Sequence, residues 1–477
     1  MVVDRLVREG HLPDTSGNPR LFATHGDDTA IIVPLPHVRP GGSGTSAAAT
    51  PTRMETRDLV TEPTVDTSRA AELRRRLTEE LKADGLIRTG PVEKAFRTVP
   101  RERFAPQVTL AEAYKKGVVV TKRDEHGTTI SSVSAPQIQA TMLEQARLDK
   151  GMRVMEIGSG GYNAALMSEL VGQDGEVTTL DIDPEVTDRA RACLKDAGYN
   201  DVNVVLADGE DGCPQHAPYQ RVIVTVGAWD IPPAWIDQLT PDGTLTVPLR
   251  MRGLTRSVTF VRQGAHLVST SAKICGFVKM QGAGAHTERL LLLRGKEIGL
   301  RFDDGEPADP DQLSGVLDTE RIEAWSGVEI SASEQFDTLQ LWLATALDGF
   351  CLMSVDRALD TGVVSPQNRM ACPAVVDRDS FAYLAVRKTE AEGEARFEFG
   401  VHAFGPRARE VAEPMNAAIA AWGRSHRNGP ERISFYPATT DPKDLPEGRV
   451  LPKQHGSVVI SWPDEGQAAS HNPDEKE

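Results

Sequence analysis

From Arg153 to Leu249 the chain alternates short apolar runs with amphipathic stretches, a rhythm that few folds accommodate. Arg153–Ile157, Glu176–Asp181, Val202–Leu206, Arg221–Val226 and Gly243–Leu249 read as strands. Tyr162–Val171, Glu185–Ala197 and Pro232–Leu239 read as the helices between them. Such a βαβ succession predicts an α/β fold with a parallel, doubly wound sheet, whose ligands bind at the carboxyl ends of the strands. The first strand runs into Gly158-Ser159-Gly160-Gly161 and then a helix, and glycine is the residue needed where backbone turns sharply and must approach a ligand closely.

Outside this region the patterning divides the chain. Residues 1–66 lack hydrophobic periodicity, and Pro34–Pro63 is dense in Pro, Gly, Ser, Thr and Ala; the segment reads as disordered, with Met54 a candidate alternative start. Leu73, Leu77 and Leu81 form an i, i+4, i+8 stripe that opens an ordered unit over residues 67–285. Gln281–Ala285 reads as a junction. Beyond it, Phe336, Leu339, Leu343 and Leu347 mark a helix, and Phe397, Phe399, Val401 and Ala403 alternate as a strand. Another helix runs from Gly405-Pro406 towards Trp422, and Val458–Trp462 is a last strand. Residues 286–463 are therefore expected to form a smaller, separate α+β unit, and 464–477 a disordered acidic tail.

Composition narrows the function. A formal charge of −16 argues against a nucleic-acid partner, which calls for a basic stripe. No apolar run approaches the roughly 20 residues that span a bilayer, and the N-terminus lacks a signal-peptide core. Cys193, Cys213, Cys275, Cys351 and Cys372 are scattered without ligand spacing, so a cytoplasmic protein with no metal site is expected. His126, His216, His286 and His402 likewise lack partners at ligand spacing.

Three acidic residues sit at three successive strand ends: Glu156 before the glycine turn, Asp181 after the second strand, and Asp208 after the third. Asp181 could accept two ribose hydroxyls, and Asp208 would lie at an adenine edge. With Gly158, Gly160 and Gly161 they suit a cofactor that carries a cationic sulfonium and no phosphate, since a pyrophosphate prefers a bare helix N-terminus. The competing role for Asp181 and Asp208 is capping of the elements that follow. Trp229 and Trp235 could line an acceptor cleft or pack beneath the sheet.

Several separated motifs resemble protein isoaspartate O-methyltransferases. Ser134-Ala135-Pro136 with Gln137–Glu144 looks like the family's substrate motif, and Val92–Phe96 with Val99–Phe104 like its N-terminal signature. Tyr219–Thr225 and Gln238–Gly243 resemble its later strand and turn, so the resemblance covers roughly residues 90–265. It implies a Rossmann-like class I methyltransferase fold, S-adenosyl-L-methionine as cofactor, and Ser134 as the hydroxyl that orients the acceptor. Ser131 and Ser132 are nearby alternatives, and Ser134 could instead cap the helix near Pro136. Two departures stand out: a glycine motif one residue shorter before Tyr162, and the long region after Gly284. Both look like the branch found beside ribosomally made peptides, including lanthipeptides of the FxLD type, whose members esterify an Asp side chain that then closes to an aspartimide. The expected partner is accordingly a modified peptide. Repair of isoaspartate in damaged proteins, and a non-catalytic cofactor-binding peptide chaperone, are the competing readings. The cofactor and acceptor motifs all lie before Val247, so the core up to Gly284 is expected to bind cofactor unaided, with residues 286–477 selecting the peptide.

Overall fold

The computed structural model describes residues 67–463 apart from 159, 304–308, 392–393, 428 and 430. The segments 1–66 and 464–477, and with them Met54, lie outside the described residues. Helix α1 (Thr67–Ala83) buries Ala70, Leu73, Leu77 and Leu81, the stripe read from the sequence. It packs on α2 (Gly90–Thr98), which opens with a proline in its first turn, where the missing N–H has no intrahelical partner to lose. A short α3 (Leu110–Ala113) follows, started by a Thr109/Glu112 capping box. Strands β1 (Val119–Arg123) and β2 (Thr129–Val133) pair antiparallel as a two-stranded sheet of their own, with Val119 opposite Val133. This hairpin has no counterpart among the elements expected from periodicity.

Helix α4 (Pro136–Ala146) leads into the alternating core: β3 (Arg153–Ile157), α5 (Tyr162–Val171), β4 (Glu176–Asp181), α6 (Pro184–Ala197), β5 (Asn203–Leu206), β6 (Tyr219–Val224), α7 (Pro233–Asp237) and β7 (Leu239–Met251). Strands β8 (Leu254–Gln263) and β9 (His266–Ile274) then turn the sheet antiparallel. Strands β5, β4, β3, β6 and β7 are neighbours in that order and parallel, which is the expected doubly wound arrangement. Alternation along the strands sorts the two faces. Val154, Val177 and Ile223 join the core formed with α1, α2 and α4–α6, whereas Met155, Val222 and Val224 join a second core with Trp235 of α7.

The region after Gly284 departs from the expected separate unit. Strands β10 (Arg289–Leu293), β11 (Ile298–Phe302), β12 (Ile322–Ser331), β13 (Phe350–Val355), β14 (Cys372–Asp377), β15 (Ser380–Ala391) and β16 (Glu394–Phe404) form a seven-stranded antiparallel sheet, with helices α8 (Asp337–Ala346) and α9 (Ala408–Ala421). Its apolar side chains are continuous with the second core of the first sheet, Leu249 and Met251 lying in one cluster with Leu300, Leu352 and Phe399. Strands β17 (Arg432–Pro437), β18 (Arg449–Pro452) and β19 (Gly456–Ser461) do not belong to this sheet. They extend the first sheet to ten strands, β17 pairing with β9 at Ser434–Val268 and Phe435–Leu267. The boundary drawn at 286–463 therefore gives way. An edge strand such as β9 presents unpaired N–H and C=O groups, and the chain returns about 160 residues later to pair with them. No helix of the described residues is long and apolar enough to cross a membrane.

Candidate active site

A cavity of about 270 Å³ opens at the carboxyl ends of β3 and β4, beneath the β1–β2 hairpin. Glu156, Gly158, Gly160, Asp181 and Ser134 line it together with Thr225, Phe277 and the hairpin residues Arg123 and Thr129–Val133. Five of the seven residues singled out from the sequence thus face one space. Gly161 lies just behind it as the N-cap of α5. Asp208 lies outside: Oδ1 accepts the Glu210 N–H at 3.0 Å, the capping role weighed against it, and Oδ2 accepts the Ala283 N–H at 2.9 Å. For Asp181 the outcome is the reverse. Asp183 caps α6, while Asp181 accepts the Asp183 N–H at 3.0 Å and faces the cavity.

The glycine turn is shaped by contact. Gly158 has φ +98°, and a Cβ there would lie 2.8 Å from Thr225 Oγ1 and 2.9 Å from Val226 Cγ1. The Thr225 hydroxyl closes the turn by donating to the Gly158 carbonyl at 2.6 Å. At Gly160 a Cβ would meet the Ser132 carbonyl at 3.3 Å, so the hairpin passes directly over the turn. Below, Glu156 is fully buried although it borders the cavity; Asn163 Nδ2 donates to it at 2.8 Å and Thr179 Oγ1 at 2.5 Å. Burial, with the nearby Asp181 charge, pushes its carboxyl up to about 7 against those two hydrogen bonds. A cation in the cavity would draw it back to the ionised form. Arg123 is the single Lys or Arg among the lining residues, so the walls offer little to a pyrophosphate and fit a cofactor carrying a sulfonium and an ammonium.

Ser134 does not cap α4. The N-cap is Ala135, which makes no side-chain capping bond, and Ser134 lines the cavity. Its peptide is held from beneath by Arg101 of the Val99–Phe104 motif, whose role no local pattern signals. The Arg101 guanidinium is fully buried and donates to Ser134 O at 2.9 Å, Ala113 O at 2.8 Å and Gln139 Oε1 at 3.1 Å, and it lies 4.9 Å from the Tyr162 ring centroid. Gln137 lines the cavity with its Nε2 on Lys116 O at 3.2 Å and its buried Oε1 without a partner among the described residues. Lys122 ties the hairpin to the loop after Asp181 by ion pairs of 2.7 Å to both Asp183 and Glu185. The tryptophans are not part of the cavity. Trp235 is buried with Nε1 on Gly209 O at 2.7 Å, and Trp229 stacks on His286 at 3.5 Å. No group of three metal-ligating side chains occurs among the described residues.

Residues 72–284 match the family model described as protein-L-isoaspartate(D-aspartate) O-methyltransferase. The chain is 40% identical to the protein-L-isoaspartate O-methyltransferase of Hyperthermus butylicus over 221 residues, 44% of this chain and 89% of the relative. It is also 40% identical to that of Ignicoccus hospitalis over 179 residues, 37% of this chain and 82% of the relative. Among solved structures, a protein-L-isoaspartate O-methyltransferase aligns over 81% of this chain and 99% of its own, with a TM-score of 0.44 and 20% identity.

Proposed function

The chain belongs to the protein-L-isoaspartate(D-aspartate) O-methyltransferase family, S-adenosylmethionine-dependent carboxyl methyltransferases, and from that premise we propose that its acceptor is an aspartyl side chain of a ribosomally made, modified peptide. The observation that carries the site assignment is the shared cavity, which takes in the glycine turn and Asp181 on one side and Ser134 and Gln137 on the other. When bound, S-adenosylmethionine supplies a methyl group on a sulfonium, which a carboxylate can take up with no proton moved. Gly158, Gly160 and Gly161 would cradle it closely, Asp181 would accept its ribose hydroxyls, and Glu156 would balance its positive charge.

The acceptor carboxylate is already ionised near neutral pH, its ordinary pKa being about 4, so no general base is needed. The protein has to align that carboxylate and strip its water. In this reading the Ser134 hydroxyl donates to one carboxylate oxygen and leaves the other as nucleophile, with Arg101 fixing the Ser134 peptide below. The unpartnered Gln137 Oε1 can accept a peptide N–H of the acceptor, and the hairpin roof keeps water out. After esterification the next backbone nitrogen can attack the ester carbonyl; its C–N bond forms, the C–O bond breaks, and methanol leaves with the amide proton. That closure is intramolecular and so gains effective molarity.

Support for the narrower acceptor is the region beyond residue 284, outside the family match, which forms a second sheet and adds three strands to the first. It offers surface from which an affinity difference between peptides can arise. The second reading, repair of isoaspartyl residues, draws on the names of the relatives. Methyl-ester formation followed by mass spectrometry separates the two. The full chain should methylate a cyclic, modified precursor peptide with higher kcat/KM than a linear isoaspartyl peptide, and the opposite preference replaces the biosynthetic reading with repair.

A further inference from the structure

The turn between β18 and β19 lies about 170 residues past the junction at Gly284, yet it ends against the loops at the cofactor end of the first sheet. His455 Nε2 is 2.6 Å from Glu210 Oε1, and the His455 N–H donates to Asp230 Oδ2 at 2.6 Å. Lys453 Nζ donates to the Arg250 carbonyl at 3.0 Å and sits 3.1 Å from the centroid of the Trp229 ring. The ring's stacking partner, His286, lies 2.8 Å through Nε2 from the Asp303 carbonyl of the second sheet. Trp229 is thus gripped by a residue of the junction and one of the C-terminal turn.

These contacts lead towards the cavity through short steps. Glu210 is the residue whose N–H Asp208 caps, and Asp208 also holds the Ala283 N–H. Ala283 closes the segment whose earlier residues Gly276, Phe277 and Val278 line the cavity. Gly227, next to the lining residues Thr225 and Val226, bridges to Lys279 of the same segment. The C-terminal turn fastens the outer side of each loop, at Glu210 and at Asp230.

We propose that the turn Pro452–Gly456 is a brace of the cofactor pocket, with His455 and Lys453 as positioning residues that hold the Asp208–Glu210 and Thr225–Asp230 loops in their binding geometry. The inference rests on the cavity being the cofactor's. It means that the region added after the family match serves the cofactor as well as any acceptor, and that cofactor binding and the seating of the C-terminal strands are linked. Linkage is reciprocal, so cofactor must tighten the turn as much as the turn tightens cofactor.

The test uses the full-length chain and S-adenosylhomocysteine as the probe. Calorimetry should show His455→Ala weakening its binding about tenfold, an effect of the size expected when a charged hydrogen bond that orders a site is lost. His455→Gln, which keeps a donor for Glu210, should recover most of it, and the unfolding midpoint of the free protein should move little. In the wild-type chain, hydrogen exchange of residues 449–461 should slow when S-adenosylhomocysteine is added, a readout that does not depend on any variant folding. Unchanged affinity in His455→Ala together with unchanged exchange in 449–461 overturns the brace. Asp181→Ala separates the two layers of argument: if that variant binds like wild type, the cavity is not the cofactor's and the inference falls with it. If Asp181→Ala loses binding and His455→Ala does not, the cavity stands and only the brace is wrong.

Discussion

Glu156 illustrates how burial turns an ordinary carboxylate into a sensor of charge. Its pKa stands near 7 in the folded chain against about 4.5 when exposed. Between those values the folded protein holds a proton that the unfolded chain has released, so stability falls as pH rises through the window and is highest below it. A shift of that size corresponds to about 3 kcal/mol. Glu156→Gln should therefore flatten the stability profile between pH 4.5 and 7.5, and urea titrations at the two pH values that still differ as in wild type would refute the assignment. The same carboxyl predicts that S-adenosylhomocysteine, whose ammonium is cationic, binds more tightly as pH climbs towards 7, an effect the glutamine variant should lack. At Ser134 the expectation is kinetic. Ser134→Ala should lower kcat by about 10- to 100-fold through a loosened acceptor while S-adenosylhomocysteine affinity stays the same, because misplacement of a reacting group costs rate and not cofactor binding. An unchanged kcat would leave the orienting role to Ser131 or Ser132.

At the scale of elements, the β1–β2 hairpin and α4 are held by charges that reach across the chain. Lys122 spans from the hairpin to Asp183 and Glu185, and its salt bridges are partly exposed, so each contributes modestly to stability. Their effect lies in position. Lys122→Met should raise the acceptor KM several-fold while changing the unfolding free energy by less than about 1 kcal/mol, and a KM insensitive to the change would show that the hairpin does not form the roof in solution. Arg101 is different, being wholly buried with carbonyls, an amide and a ring for company. Arg101→Met leaves the Ser134 and Ala113 carbonyls without donors, and each unsatisfied buried group costs about 1–3 kcal/mol. The variant should lose about 2–4 kcal/mol in chemical denaturation; a smaller loss would mean that water replaces the guanidinium.

For the molecule as a whole, the shared apolar core and the ten-stranded sheet make the C-terminal region inseparable from the catalytic one. A chain ending at Gly284 would strip β17 from the edge of β9 and uncover Leu249, Met251 and Val258, which lie in one cluster with residues of the second sheet. Exposed edges and apolar patches of that kind promote association. The truncated chain should aggregate or unfold without cooperativity, and light scattering with a thermal melt checks it. A monomeric, cooperatively melting fragment that binds S-adenosylhomocysteine normally would restore the view of two independent units.

Local physics explains what could be read before any coordinates. Strand and helix periods are properties of neighbouring residues, so β3, α5 and β4 begin and end where the pattern places them, and the glycine turn announces itself through a backbone that only glycine fits. The cavity gathers Glu156, Gly158, Gly160 and Asp181 because strand ends of a parallel sheet converge by topology, and Ser134 joins them where the antiparallel β2 runs into α4. Three features had no local signature. Asp208 occupies the expected strand end, but its oxygens are taken by Glu210 and by Ala283, 75 residues away. The Arg101 side chain reveals its role only when α4 and the glycine turn close around it. The C-terminal strands read as the end of one unit, yet they pair with another, because a strand's partner is chosen by which edge lacks hydrogen bonds in the folded chain. Periodicity and glycine placement thus determined the elements of the parallel core and the strand-end part of the cavity wall from sequence alone, but not the hairpin that roofs it. Only the tertiary structure decided which distant groups satisfy the buried polar atoms and open edges, because that depends on contacts that no stretch of chain contains.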